Sequence, residues 1–129
     1  ELQKASGPQT ALHKGSDRKD LGVMTIFEFK KCGGLYTGFT VKGHSGHAAS
    51  GSDIVCAAAS SAVETVVNGI TDAAKAKANV RVDEHNAAIE VVLQDESPAA
   101  QILAEALYIQ AGRLSGEYPK SVKLILLEV

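Results

Sequence analysis

The residues best equipped for chemistry lie together between Val41 and Ala57, in the string VKGHSGHAASGSDIVCA. Two imidazoles (His44, His47), one carboxylate (Asp53) and one thiol (Cys56) fall within 13 positions, and no other stretch is comparable. A thiol is a strong nucleophile only as thiolate, and the partial positive charge at a helix start favours that form. Asp53 is placed to cap such a helix by accepting from a backbone N–H near Cys56. Cys56 then sits in the first helical turn, where a histidine from the preceding segment can take its proton. Free N–H groups at the same helix end can hold an oxyanion. These are the parts of a cysteine hydrolase.

The same residues have plainer readings. Followed by Ala57, Ala58 and Ala59, Cys56 also has the pattern of a small buried hydrophobe. His44 and His47 suit a solvated loop, Asp53 suits a plain cap, and Gly43, Gly46 and Gly51 suit loop geometry alone. Cys32, in a hairpin turn, reads as an idle thiol. Zinc could be held by His44, His47, Asp53 and Cys56; the His-x-x-His spacing favours this, and the lack of a paired Cys-x-x-Cys counts against it. A phosphate cradle fits less well: no lysine or arginine lies between Gly43 and Cys56, and Asp53 would repel an anion. Gly43-His44-Ser45-Gly46 has GxxG spacing but follows a strand and lacks the basic charge of an RNA-binding module.

The elements that must position these residues are legible in the periodicity. Thr25 to Lys30 alternates, with Ile26, Phe27 and Phe29 marking a strand; Cys32-Gly33-Gly34 predicts a hairpin turn, and Leu35 to Lys42 the returning strand. Gly43 to Ser52 reads as a loop rich in glycine and serine. Asp53 to about Ala74 predicts a helix, with Ile54, Val55, Ala58, Ala59, Ala62, Val63, Val66, Val67 and Ile70 on one wide apolar face. Asn79 to Asp83 and Ala88 to Leu93 predict strands around the polar turn Glu84-His85-Asn86. Ser97-Pro98 is a helix start, and the helix beyond it directs Ile102, Leu103, Ala106, Leu107, Ala111 and Leu114 inward, ending near Gly116. Val122 to Val129 is apolar on both faces, which predicts a central or covered strand. The order ββαββαβ implies an α+β two-layer sandwich, a mixed β-sheet with two helices on one face.

Composition narrows the class further. The chain has 129 residues, enough for one core but not two ordinary domains. Its only methionine, Met24, divides a polar, aperiodic stretch (1–23) from the periodic remainder (24–129). The first part reads as an expression leader or disordered arm. The periodic part holds nine Lys and Arg against twelve Asp and Glu, so no positive field draws nucleic acid. No uninterrupted apolar run approaches a membrane span. Two cysteines and no signal-peptide pattern point to the cytoplasm.

Gly43-His44, then six residues to Gly51, then Asp53-Ile54-Val55-Cys56-Ala57, resembles the signature of the ribosomal-processing cysteine protease family, Prp. The order of elements and the length after Met24 are similar as well. The resemblance implies that His44 and Cys56 are the catalytic pair and that Asp53 assists or orients. The family pattern is Gly-His-Ala, whereas Ser45 follows His44 here and Gly46-His47-Ala48 supplies a second Gly-His-Ala. Assigning the role to His44 keeps the gap to Cys56 and aligns Gly51 and Asp53 without insertion. His47 is then a flanking or substrate-contacting residue, with Gly43 and Gly51 as loop or substrate-binding positions. What is implied is a cytoplasmic bacterial endopeptidase, homodimeric, without cofactor or bound metal. It would remove a short N-terminal extension from large-subunit ribosomal protein 27, cutting after an aromatic pair that needs an apolar pocket near Cys56. It would contact neither nucleic acid nor membrane directly. The alternative is a non-enzymatic ribosome-assembly or metal-binding module.

Overall fold

In the computed structural model, residues 24–43 and 54–129 are described, together with the backbone of Asp53 but not its side chain. Residues 1–23, read above as a leader or arm, lie outside the described residues. The elements are β1 (Thr25–Cys32), β2 (Leu35–Lys42), α1 (Asp53–Asn68), a π-helical turn (Gly69–Ala73), β3 (Ala78–Asp83), β4 (Ala88–Leu93), α2 (Pro98–Glu117) and β5 (Val122–Glu128). The five strands form one sheet in the order β3-β4-β2-β1-β5. β1 and β5 are parallel and the other neighbours antiparallel, so the sheet is mixed as the sequence implies.

Alternation builds one apolar sheet face. Phe27 and Phe29 of β1 pair with Val41 and Phe39 of β2, and all four are buried. Ile89, Val91 and Leu93 extend that face across β4. The β1–β2 hairpin turns at Gly33 and Gly34, whose φ angles of 62° and 84° suit a two-residue turn. Just inside it the register slips: Lys30 opposes Gly38 and Lys31 opposes Tyr36, leaving Thr37 as an extra residue in β2. This bulge reverses the side-chain parity and turns Tyr36 toward the helices. There its hydroxyl donates to Glu105, and its backbone N–H and carbonyl bond the Gln101 side chain, each at 2.8 Å. Phe29 stacks among Tyr36, Phe39 and Tyr108, so aromatic contacts close this end of the core.

Both helices cover that one face. α1 lays Val55, Ala59, Val63 and Val66 into the core, and Ile70 follows from the π-helical turn. Ile54–Ala73 is long and apolar enough to cross a membrane by composition, yet its inner face is occupied by this core. α2 begins as the Ser97-Pro98 pair predicts: the Ser97 hydroxyl accepts from the Ala100 N–H at 3.2 Å, with proline in the first turn.

Three expectations need correction. β5 is an edge strand, not a central one: Val122 is buried beneath α2, but Leu126 and Leu127 are exposed. It pairs with β1 along its whole length, from Val122 to Glu128, so its other edge is left without a strand among the described residues. In α2, Ile102 is 69% exposed and Ala106 faces outward, while Ala100 and Ala104 take the inner positions. Ile54 is likewise exposed on the outer side of α1. Apolar residues on both sides of each helix widen the stripe beyond the arc that the sheet can cover.

Candidate active site

The site is built where β2 ends and α1 begins. Gly43 closes β2 with φ +81°, a conformation that L side chains rarely adopt. A Cβ there would lie 2.3 Å from the Met24 carbonyl oxygen, so glycine is required by space as well as by angle. The Gly43 N–H donates to the Ala87 carbonyl at 2.8 Å, tying this point to the β3–β4 turn. The Gly43 carbonyl accepts from the Thr25 hydroxyl at 3.2 Å. Thr25 is held in turn by its own N–H, which donates to Ser121 at 2.8 Å. The Met24–Thr25 segment and the β3–β4 turn thus converge on one glycine.

Cys56 is the fourth residue of α1 and lies in its first turn, as the spacing implies. Its sulfur is only 2% exposed and lies 4.0 Å from the Gly43 carbonyl oxygen, which it approaches as a donor. The fold therefore brings Gly43 and Cys56 together across the intervening segment and sets the sulfur in the first turn of α1, at the positive end of the helix.

His44, His47 and Gly51 lie outside the described residues, as does the Asp53 side chain. The backbone of Asp53 is the first residue of α1. The zinc reading depends on the same histidines, and among the described residues no cluster of His, Cys, Asp and Glu is arranged to hold a metal. Cys32 is exposed at the end of β1, remote in the fold from α1. Outside the helix layer, a groove of about 680 Å³ runs between α1 and α2, lined by Ile54, Ala57, Ala58, Thr65, Ala106 and Gln110 among others. It begins at the sequence neighbours of Cys56, although the sulfur itself turns inward to the core.

One contributor has no signature in the sequence. Thr25 is the buried polar side chain of the described residues, and it touches the same carbonyl as Cys56. A threonine opening a strand is ordinary β-propensity, so only the sheet register reveals what it faces.

The family model for the cysteine protease Prp matches residues 24–123. The chain belongs to the Prp family of cysteine proteases. No curated protein matches it in sequence. Solved structures share the fold: SMU.848 from Streptococcus mutans superposes with a TM-score of 0.76 at 24% identity, covering 84% of this chain and 97% of that one. The essential ribosomal processing protease Prp from Staphylococcus aureus, with a covalently linked product peptide, gives 0.72 at 23% identity, covering 80% and 99%. The same S. aureus protein with a substrate peptide gives 0.71 at 21% identity, covering 82% and 100%. As a Prp-family protein the chain is a peptide-bond hydrolase, and the first-turn thiol is the described nucleophilic group nearest to what such a reaction needs.

Proposed function

We propose that this protein is a cysteine endopeptidase of ribosome biogenesis, removing the N-terminal extension of large-subunit ribosomal protein 27 with Cys56 as nucleophile and His44 as base. The observation that carries this reading is the placement of Cys56 in the first turn of α1, against the carbonyl of Gly43, the residue directly before His44. The S. aureus relative is a ribosomal processing protease crystallised with peptides, which supports a ribosomal protein precursor as substrate.

In the proposed mechanism the His44 imidazole draws the proton from Cys56, and the thiolate attacks the scissile carbonyl. First-turn N–H groups of α1 hold the oxyanion of the tetrahedral intermediate. His44 then protonates the leaving amine, and water hydrolyses the thioester to release the carboxylate and restore the thiol. Asp53 orients this pair in addition to capping the helix, and His47 and Gly51 flank the bound peptide. The protein works in the cytoplasm as a homodimer, without cofactor, and its acidic domain suits a basic ribosomal substrate.

The test is cleavage of a peptide carrying an aromatic pair followed by a small residue and lysines, wild type against Cys56→Ala. Cleavage that disappears in the variant supports the reading. Retained cleavage in Cys56→Ala, or none by either protein, overturns it.

A further inference from the structure

We propose that Thr25 is a positioning residue for the nucleophile, acting through the Gly43 carbonyl. This role rests on the reading of Cys56 as nucleophile and extends it to a residue on β1. Thr25 is fully buried. A valine has nearly the same shape and an equal fitness for strands, whereas a hydroxyl in a dry site is costly unless bonded. The bond it makes is to the Gly43 oxygen at 3.2 Å, the same oxygen that Cys56 Sγ approaches at 4.0 Å.

A carbonyl oxygen has two lone pairs. Thr25 occupies one direction and leaves the other for the thiol. The hydroxyl is itself on a rigid mount, since the Thr25 N–H is bonded to Ser121 and Thr25 pairs with Val122 of β5. With the Gly43 N–H fixed to Ala87, the peptide units on both sides of the Gly43 Cα are held, one through its N–H and the other through its carbonyl. Without the hydroxyl the carbonyl would lose its stronger described donor and keep the weak sulfur contact. The peptide would then turn to regain a partner. Because Gly43 leads directly into His44, that turn displaces the chain at the residue read as the base. A displacement of this kind acts on the chemical step and not on peptide binding.

The experiment compares Thr25→Val and Thr25→Ser in the full chain, using the aromatic-pair peptide and iodoacetamide. Thr25→Val is expected to lower kcat by at least about tenfold, as small misplacements of reacting groups do, with KM nearly unchanged. Thr25→Ser, which keeps the hydroxyl, restores kcat. Labelling of Cys56, with the exposed Cys32 of the same molecule as internal reference, becomes faster in Thr25→Val because the thiol loses its held acceptor. Should Thr25→Val fail to fold by circular dichroism, Thr25→Ala carries the same comparison. Unchanged kcat and labelling in a folded hydroxyl-free variant overturns the proposal, as does a Thr25→Ser protein impaired as severely as Thr25→Val. If the wild type cleaves no peptide, the protease reading fails, while the labelling comparison still decides whether Thr25 governs Cys56 through Gly43.

Discussion

Replacing Gly43 with alanine separates two costs that the structure makes unequal at different glycines. At Gly43 the backbone has φ +81°, and an added Cβ meets the Met24 carbonyl oxygen at 2.3 Å and its carbon at 3.2 Å. At Gly34 the angle is nearly the same, +84°, but nothing lies within 4 Å. Gly34→Ala therefore bears only the left-handed conformational cost, about 1–2 kcal/mol. Gly43→Ala bears that cost plus a contact with backbone atoms that cannot swing aside, adding roughly 1–3 kcal/mol. For a domain of this size, Gly34→Ala should lower Tm by about 5–10 °C and Gly43→Ala by about 10–25 °C. Thermal unfolding followed by circular dichroism measures both. Relief of the clash pushes Met24 and Gly43 apart and breaks the bond from Thr25 to the Gly43 carbonyl, so only Gly43→Ala should also change labelling of Cys56. Equal losses of Tm in the two variants would refute the claim that close approach of β1, and not φ alone, demands glycine at the site.

Other outcomes follow from the same geometry. Asp53→Asn should lower kcat by about two to three orders of magnitude if the carboxylate orients the catalytic pair; a fall in Tm with normal cleavage would reduce Asp53 to a helix cap. Gln101→Leu strips both partners from the Tyr36 peptide and should cost roughly 1–3 kcal/mol in denaturant unfolding, with faster amide exchange at Tyr36. Burial, then the hydrogen bond and charge of Glu105, push the Tyr36 hydroxyl well above the usual tyrosine range. A raised folded-state value means that the stabilisation is complete below the unfolded tyrosine value of about 10 and is lost as pH rises above it. Unfolding measured from neutral to alkaline pH should show that decline in wild type and a flatter limb in Tyr36→Phe.

Much of this structure was legible because local chemistry and tertiary packing agree. The glycine pair at 33 and 34 sits where positive φ is needed, and Ser97-Pro98 opens α2 with the expected cap. Disagreement arose where apolar residues exceed the surface available to cover them. Ile54 and Ile102 belong to apolar stripes by spacing, yet the sheet lies on the other side of both helices. Leu126 and Leu127 give β5 the look of a covered strand, yet the strand closes an edge. At the site, the sequence located Cys56 in the first turn of the helix that carries it, because apolar helical periodicity is a local property. The part played by Thr25 was not legible, since it depends on a sheet register between residues far apart in sequence.

That register has a consequence for how the protein comes into being. Thr25 pairs with Val122, residues separated by about a hundred positions, in the one parallel pairing among the described residues. Contacts of such long range are entropically slow to close and form late in folding. During synthesis the β1–β2 hairpin leaves the ribosome before β5, and β1 meets that strand only once it too has emerged. The clamp on Gly43 is mounted on that last pairing through the Thr25–Ser121 bond. A nascent chain therefore cannot complete the frame around the Cys56 thiol until translation has reached β5.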